Sequence, residues 1–231
     1  MRTWRRVSGW CGWSSRARGR CGCIRRKALS SDCLPVATAP HADVLALIGA
    51  ARTRMTPAPR AVVLDFGYSS VKRGIAHFSQ SGALQHLQVL DGLALAAIGL
   101  GKARTSHEVL RSVVDVIAAT VDEAQDNHGA VDGEVAVSLA TYLTDRQPFP
   151  SSELYDLLTD VDFSTLEAEL ARATGRPLHV RYIHDGTAAA AALNTSGRDG
   201  IIVLGTSLGA GFTLPDQPRL AIAADLLITH N

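Results

Sequence analysis

At 231 residues, 46% of them hydrophobic and 19% charged, the chain has the composition of a soluble globular protein, with apolar material for one large domain or one and a half smaller ones. Nowhere do apolar residues approach the run of about 18 that a membrane-spanning helix needs, so nothing in the sequence spans a membrane by helices. The net charge of +1 conceals two polymers of opposite sign. Residues 1–35 hold nine basic side chains (Arg2, Arg5, Arg6, Arg16, Arg18, Arg20, Arg25, Arg26, Lys27) against Asp32, which leaves the remainder with a net charge of −7.

The basic head also holds all three tryptophans (Trp4, Trp10, Trp13) and all four cysteines (Cys11, Cys21, Cys23, Cys33). The rest of the chain therefore has no disulfide framework and suits a reducing, cytoplasmic compartment. The C-x9-C-x-C-x9-C spacing lacks the paired knuckles of a zinc module. Arg5-Arg6 is followed by Ser, Arg, Gly and Cys rather than an apolar stretch, which argues against a twin-arginine signal. An organelle transit peptide, a nucleic-acid arm and an unstructured or non-native extension all fit the head, and the last is the expectation adopted. Met55, ten residues before the first motif, is an alternative start.

Residues 41–54 place Val44, Leu47, Ile48 and Ala51 at helical spacing and predict a short amphipathic helix, broken by Pro57 and Pro59. AVVLDFG (61–67), GIAHF (74–78) and HLQVL (86–90) read as three strands joined by Gly/Ser turns. A helix follows from a Thr105/Glu108 capping box, with Val109, Val113, Ile117 and Val121 on one face, and closes at Asn127-His128-Gly129. EVAVSLA (134–140) alternates as a strand. FSTLEAELARAT (163–174) is a helix capped by Asp162, burying Phe163, Leu166 and Leu170 and ending at Gly175. LHVRYI (178–183) is a strand, TAAAAALN (187–194) a helix and GIIVLG (200–205) a new strand.

Three leading strands, then strands alternating with helices, predict an α/β fold with a mixed five-stranded sheet of the ribonuclease-H-like kind. The expected division is a basic extension with a short helix (1–58), a first domain (59–197) and the opening strands of a second, incomplete one (198–231).

Three segments carry candidate chemistry. Asp65-Phe66-Gly67-Tyr68-Ser69-Ser70-Val71-Lys72 ends a strand with a carboxylate, then supplies a glycine, a hydroxyl and a lysine, which suits a turn holding phosphate and Mg²⁺. An ordinary polar hairpin would look the same. In His184-Asp185-Gly186-Thr187, Asp185 either caps the following helix or serves as a general base at the carboxyl end of a strand. Glycines 205, 209 and 211 permit a tight hairpin with its N–H groups on an anion, or simply a flexible turn.

Together, in this order and on these elements, the segments resemble the first phosphate motif, the catalytic-aspartate segment and the second phosphate motif of ROK-family sugar kinases. In that family they read D-x-G-G-[TS]-x-x-K, N-D-A-N-A-A-A and G-T-G-x-G-x-G. The resemblance implies an actin-like ATPase domain and Asp185 as the base that deprotonates a sugar hydroxyl, with His184 beside it at the sugar. It implies Asp65 as a ligand of Mg²⁺ through water. It also implies Gly67, Ser69, Lys72, Gly205, Thr206, Gly209 and Gly211 around the phosphates of ATP or another donor.

The chain departs from the family pattern at Tyr68, at His184 and at Ser138-Leu139-Ala140-Thr141, where the family has a Gly/Pro-rich sugar loop. About twenty residues follow Gly211, too few for the adenosine-binding half that the resemblance implies. Leu220, Ile222, Leu226, Leu227 and Ile228 must then pack back on the first domain, meet another subunit or completing chain, or mark an incomplete chain. The functional expectation is a sugar kinase whose partners are a sugar and a phosphoryl donor, without membrane or nucleic acid. Its alternative is a non-catalytic relative that senses sugar or phosphate or acts as an interaction module.

Overall fold

The computed structural model describes residues 39–129, 133–144, 147–149, 154–193, 200–204, 208–212 and 219–230. The basic head lies outside the described residues. Helix α1 (Leu45–Arg52) comes first. Strands β1 (Arg60–Phe66), β2 (Ser70–Phe78) and β3 (Leu84–Ala94) follow as an antiparallel meander. Helix α2 (Ser106–His128) returns the chain to β4 (Glu134–Leu139), which pairs parallel with β1. The short hairpin β5 (Leu143–Thr144) and β6 (Gln147–Pro148) and a 3-10 turn at Tyr155–Leu158 precede α3 (Phe163–Thr174). Strand β7 (His179–His184) then pairs parallel with β4 and runs directly into α4 (Asp185–Ala192). Strands β8 (Gly200–Leu204) and β9 (Leu208–Phe212) pair as a separate hairpin, and β10 (Ile222–His230) ends the described chain.

The periodic segments fold as their patterns predict because caps and apolar faces agree. Thr105 and Glu108 close a reciprocal capping box on α2, while the side chain of Asp162 caps α3, which stops at Gly175 in the left-handed conformation. Val62, Leu64 and Phe66 point to one core shared with Val109, Val113, Ile117 and Val121 of α2 and Phe163, Leu166 and Leu170 of α3. Ala61 and Val63 point to the other, shared with α1 and α4. Helices cover both faces, so β4 is buried at every position rather than alternating with solvent.

The sheet has six strands, in the order β10-β3-β2-β1-β4-β7, where five were expected. The sixth is β10, which pairs parallel with β3. Leu220, Ile222, Leu226 and Ile228 pack on the α1/α4 core, so these residues turn back onto the first domain. Leu227, on the opposite pleat, is exposed. Residues 39–231 form one compact unit, in which the helix assigned to the extension is a core element.

Helix α1 meets α4 backbone to backbone. A Cβ placed on Gly49 would lie 1.6 Å from the Ala188 carbonyl oxygen. The contact is therefore closed to any side chain there, and the alanines of α4 complete it. The buried Arg52 donates to the carbonyls of Ala191 (2.5 Å) and Leu193 (3.3 Å) at the end of α4, and to that of Leu220 (2.6 Å). One guanidinium thus satisfies carbonyls that the helix end leaves open and anchors the approach to β10.

Candidate functional site

Strands β1, β4 and β7 run parallel, so their carboxyl ends open on one edge of the sheet. Asp65, Ser138 and Ile183 lie abreast across them, and Phe66, Leu139 and His184 form the next row. Asp65 and the start of α4 are thus two strand spacings apart, roughly 10 Å.

Asp65 is buried at 6% exposure. Its Oδ1 accepts from Ser138 Oγ at 2.9 Å and its Oδ2 from Lys72 Nζ at 3.3 Å. Burial nevertheless pushes its carboxyl above the usual aspartate range, with Asp185 adding to the rise and Lys72 and Ser138 opposing it. Lys72, expected on donor phosphate, pairs with Asp65 here and is partly exposed. Ser69 lies exposed in the β1–β2 turn. In that turn the Gly67 N–H donates to the Ser70 carbonyl, and the Gly67 carbonyl accepts from Tyr155 Oη at 2.9 Å.

Tyr155 and Ser138 are contributors that the motifs did not reveal. Tyr155 is fully buried, and its phenol is raised far above its usual range by burial first, then by Asp65, Tyr68 and Asp185. Its ring meets Tyr68 edge to face, with centroids 6.2 Å apart. The aromatic pair occupies the flank of the first turn, where the family pattern would place a second glycine.

At the second segment, the structure corrects the expected start of the helix. Helix α4 begins at Asp185 rather than Thr187, and its N-cap is His184, whose Nδ1 accepts from the Thr187 N–H at 3.3 Å. Asp185 therefore lies in the first turn and is not the cap. Its Oδ1 accepts from the Gly186 N–H at 2.6 Å and faces His184 Nε2 at 3.0 Å. Among the described residues, no hydrogen-bond partner engages its Oδ2.

The third segment reaches the same place. A Cβ on Gly211 would lie 1.8 Å from the Gly186 carbonyl oxygen, so β9 crosses the start of α4 with backbone against backbone. Gly209 stands on the same strand, with Val203 as its nearest neighbour. Gly205 and Thr206 lie outside the described residues.

Each oxygen of Asp65 already accepts one protein hydrogen bond. Among the described residues no group of three or more His, Cys, Asp or Glu side chains gathers as a metal site. Each carboxylate oxygen keeps a second lone pair. A hydrated Mg²⁺ held through its water shell fits this donor set, because Mg²⁺ gives up its waters reluctantly.

The fold and site define a mixed α/β protein with two carboxylates and a glycine crossing at the carboxyl edge of its sheet. No protein-family model matches the chain, and no curated protein does. Among solved structures, the chain is similar to a ROK hexokinase from Thermus thermophilus (TM-score 0.41, 19% identity, 67% of this chain and 47% of that one). It is also similar to the Aquifex aeolicus member of the Ppx/GppA family (TM-score 0.35, 15% identity, 63% and 44%). A third similarity is to an exopolyphosphatase from Cytophaga hutchinsonii (TM-score 0.31, 14% identity, 53% and 34%). The chain spans half or less of the length of each of these proteins. Among the described residues, no helix is long and apolar enough to cross a membrane.

Proposed function

We propose that this edge of the sheet is a phosphoryl-transfer site of the actin-like ATPase kind, ROK-like in its motifs, which passes a phosphoryl group to a sugar hydroxyl. The observation that supports the reading is that Asp65, Asp185 and the Gly186–Gly211 crossing all lie at the carboxyl ends of three parallel strands. In this reading Asp185 Oδ2 takes the proton from the sugar hydroxyl while the sugar oxygen bonds to the terminal phosphorus. The bond from phosphorus to the leaving phosphate breaks in the same step. Gly211 carries no side chain where β9 crosses the start of α4, and Gly209, on the same strand, flanks the donor phosphates with it. Gly67, Ser69 and Lys72 flank the donor, ATP or another phosphoryl compound, from β1 and β2. Mg²⁺, reached from Asp65 through water, would neutralise charge on the donor phosphates.

The test is a screen for Mg²⁺-dependent phosphorylation of glucose and related sugars, with ATP and with polyphosphate as donors. Product is expected from the wild type, and Asp185→Asn should lower kcat by about 10²–10⁴-fold, the usual contribution of a positioned base. Equal turnover in both proteins would remove Asp185 from the mechanism.

A second reading, a non-catalytic module that binds sugar or phosphate, draws on Tyr68 and Tyr155 beside the first turn and on Lys72 held by Asp65. Under this reading, phosphate or sugar raises the melting temperature without product forming.

A further inference from the structure

We propose that the outward face of the β8–β9 hairpin is an interface between two copies of this chain. The contact goes beyond phosphoryl transfer and does not depend on it.

The hairpin has two apolar faces, and the first domain covers one of them. Its register sets Ile201 opposite Gly211 and Val203 opposite Gly209 on the inner pleat. Ile201 and Val203 pack on the α1/α4 core, and Gly211 meets the start of α4. The alternate pleat pairs Gly200 with Phe212, Ile202 with Ala210 and Leu204 with Leu208. There Ile202 is 70% exposed, Leu204 82%, Leu208 74% and Phe212 66%. A Cβ on Gly200 would come within 2.7 Å of the Phe212 ring, so the ring occupies space that a side chain there would fill. Strands that are apolar on both pleats are the kind that a layer covers on each face.

The chemistry of the outward pleat selects its partner. Its six residues carry no charged or hydrogen-bonding side chain, so an anion, a nucleic acid or a charged peptide gains nothing there. In a two-fold contact the same patch meets itself, and a charge near the axis would meet its like. This patch has none to repel. At their exposures the four large side chains present on the order of 100 Å² each, roughly 400–500 Å² together, which matches the largest patch a monomer usually shows. Two such patches closing on each other bury roughly 800–1,000 Å², the size of a weak and reversible interface rather than an obligate one. A second copy held at micromolar strength follows.

Sedimentation velocity of the full chain, from about 1 to 100 μM, should show monomer passing into dimer. Ile202→Lys and Leu208→Lys each set like charges together in the closed contact and should raise the dissociation constant about tenfold to hundredfold. Both positions are exposed, so the dilute variants should keep the circular dichroism of the wild type. The dimer should also survive about 1 M salt, where screening removes any attraction between the basic head of one copy and the acidic remainder of another. A chain that stays monomeric throughout would overturn the proposal. So would a dimer that salt dissolves, or one that both variants leave intact.

Hydrogen exchange on the wild type gives a second test that needs no variant to fold. Amides of β8 and β9 should exchange more slowly as concentration rises through the dimer range. Protection that grows elsewhere and not in the hairpin would put the contact on another surface and overturn the proposal.

Discussion

Asp65 has Lys72 at 3.3 Å and Ser138 at 2.9 Å, yet its carboxyl is raised above its ordinary value of 3.8 because burial outweighs both partners. The folded protein therefore holds this proton at pH values where the unfolded chain has released it. The resulting contribution to stability is complete below the unfolded value and is lost as pH rises through the folded one. Asp65→Asn keeps an acceptor for Ser138 and has no proton to lose. Its stability relative to wild type is expected to improve as pH rises from about 4, the ordinary aspartate value, towards neutrality. Urea midpoints across that range would show this, and a difference that stays flat with pH would contradict it. The sequence marked Asp65 and Asp185 as the chemical residues but not their surroundings. Ser138 is a partner only because β4 pairs with β1 in a register that no local pattern reveals. Tyr155 reaches Gly67 across 88 positions from a segment without a motif. His184 was illegible as a cap because histidine is rarely one.

Elements, by contrast, were largely legible wherever a cap and an apolar stripe agreed, as in α2 and α3. What periodicity could not say is where an element packs. The crossing of β9 over α4 depends on two glycines touching, and the pattern of glycines at 205, 209 and 211 had pointed only to an anion or a turn. Gly211→Ala would press a methyl against the Gly186 carbonyl, a backbone group that cannot swing aside. It should cost at least about 1–3 kcal/mol and loosen the hairpin beside Asp185. Denaturant unfolding measures the cost, and unchanged stability would mean that the crossing is not tight. Arg52→Met tests the other end of α4. Removing the donor from three carbonyls should cost about 2–3 kcal/mol, although the methionine still fills the apolar part of the site. A loss of only a few tenths would show that water replaces the guanidinium there.

For the molecule as a whole, α1 belongs to the domain it precedes. Its buried Leu45, Leu47 and Ile48, together with Val44, contribute about 1.5–3 kcal/mol each, a sum comparable with the entire stability of a typical domain. A chain starting at Met55 should consequently lose its cooperative thermal transition, and retention of that transition would show α1 to be dispensable. The helix itself was visible as an amphipathic segment, but its role was hidden by its place after a basic head and before two prolines. That the residues of β10 pack back on the first domain is one of the alternatives the sequence left open, but the edge they join is not legible, since an apolar strand carries no record of it.

Phosphoryl transfer at this edge of the sheet depends most on the two carboxylates lying within reach of each other's charge. Carboxyl-detected NMR titration of Asp65 in wild type and in Asp185→Asn measures that directly. The account predicts that Asp65 titrates at lower pH once the Asp185 charge is gone, because that charge now opposes its ionisation. Superimposable titration curves would contradict it and leave the two aspartates in separate environments.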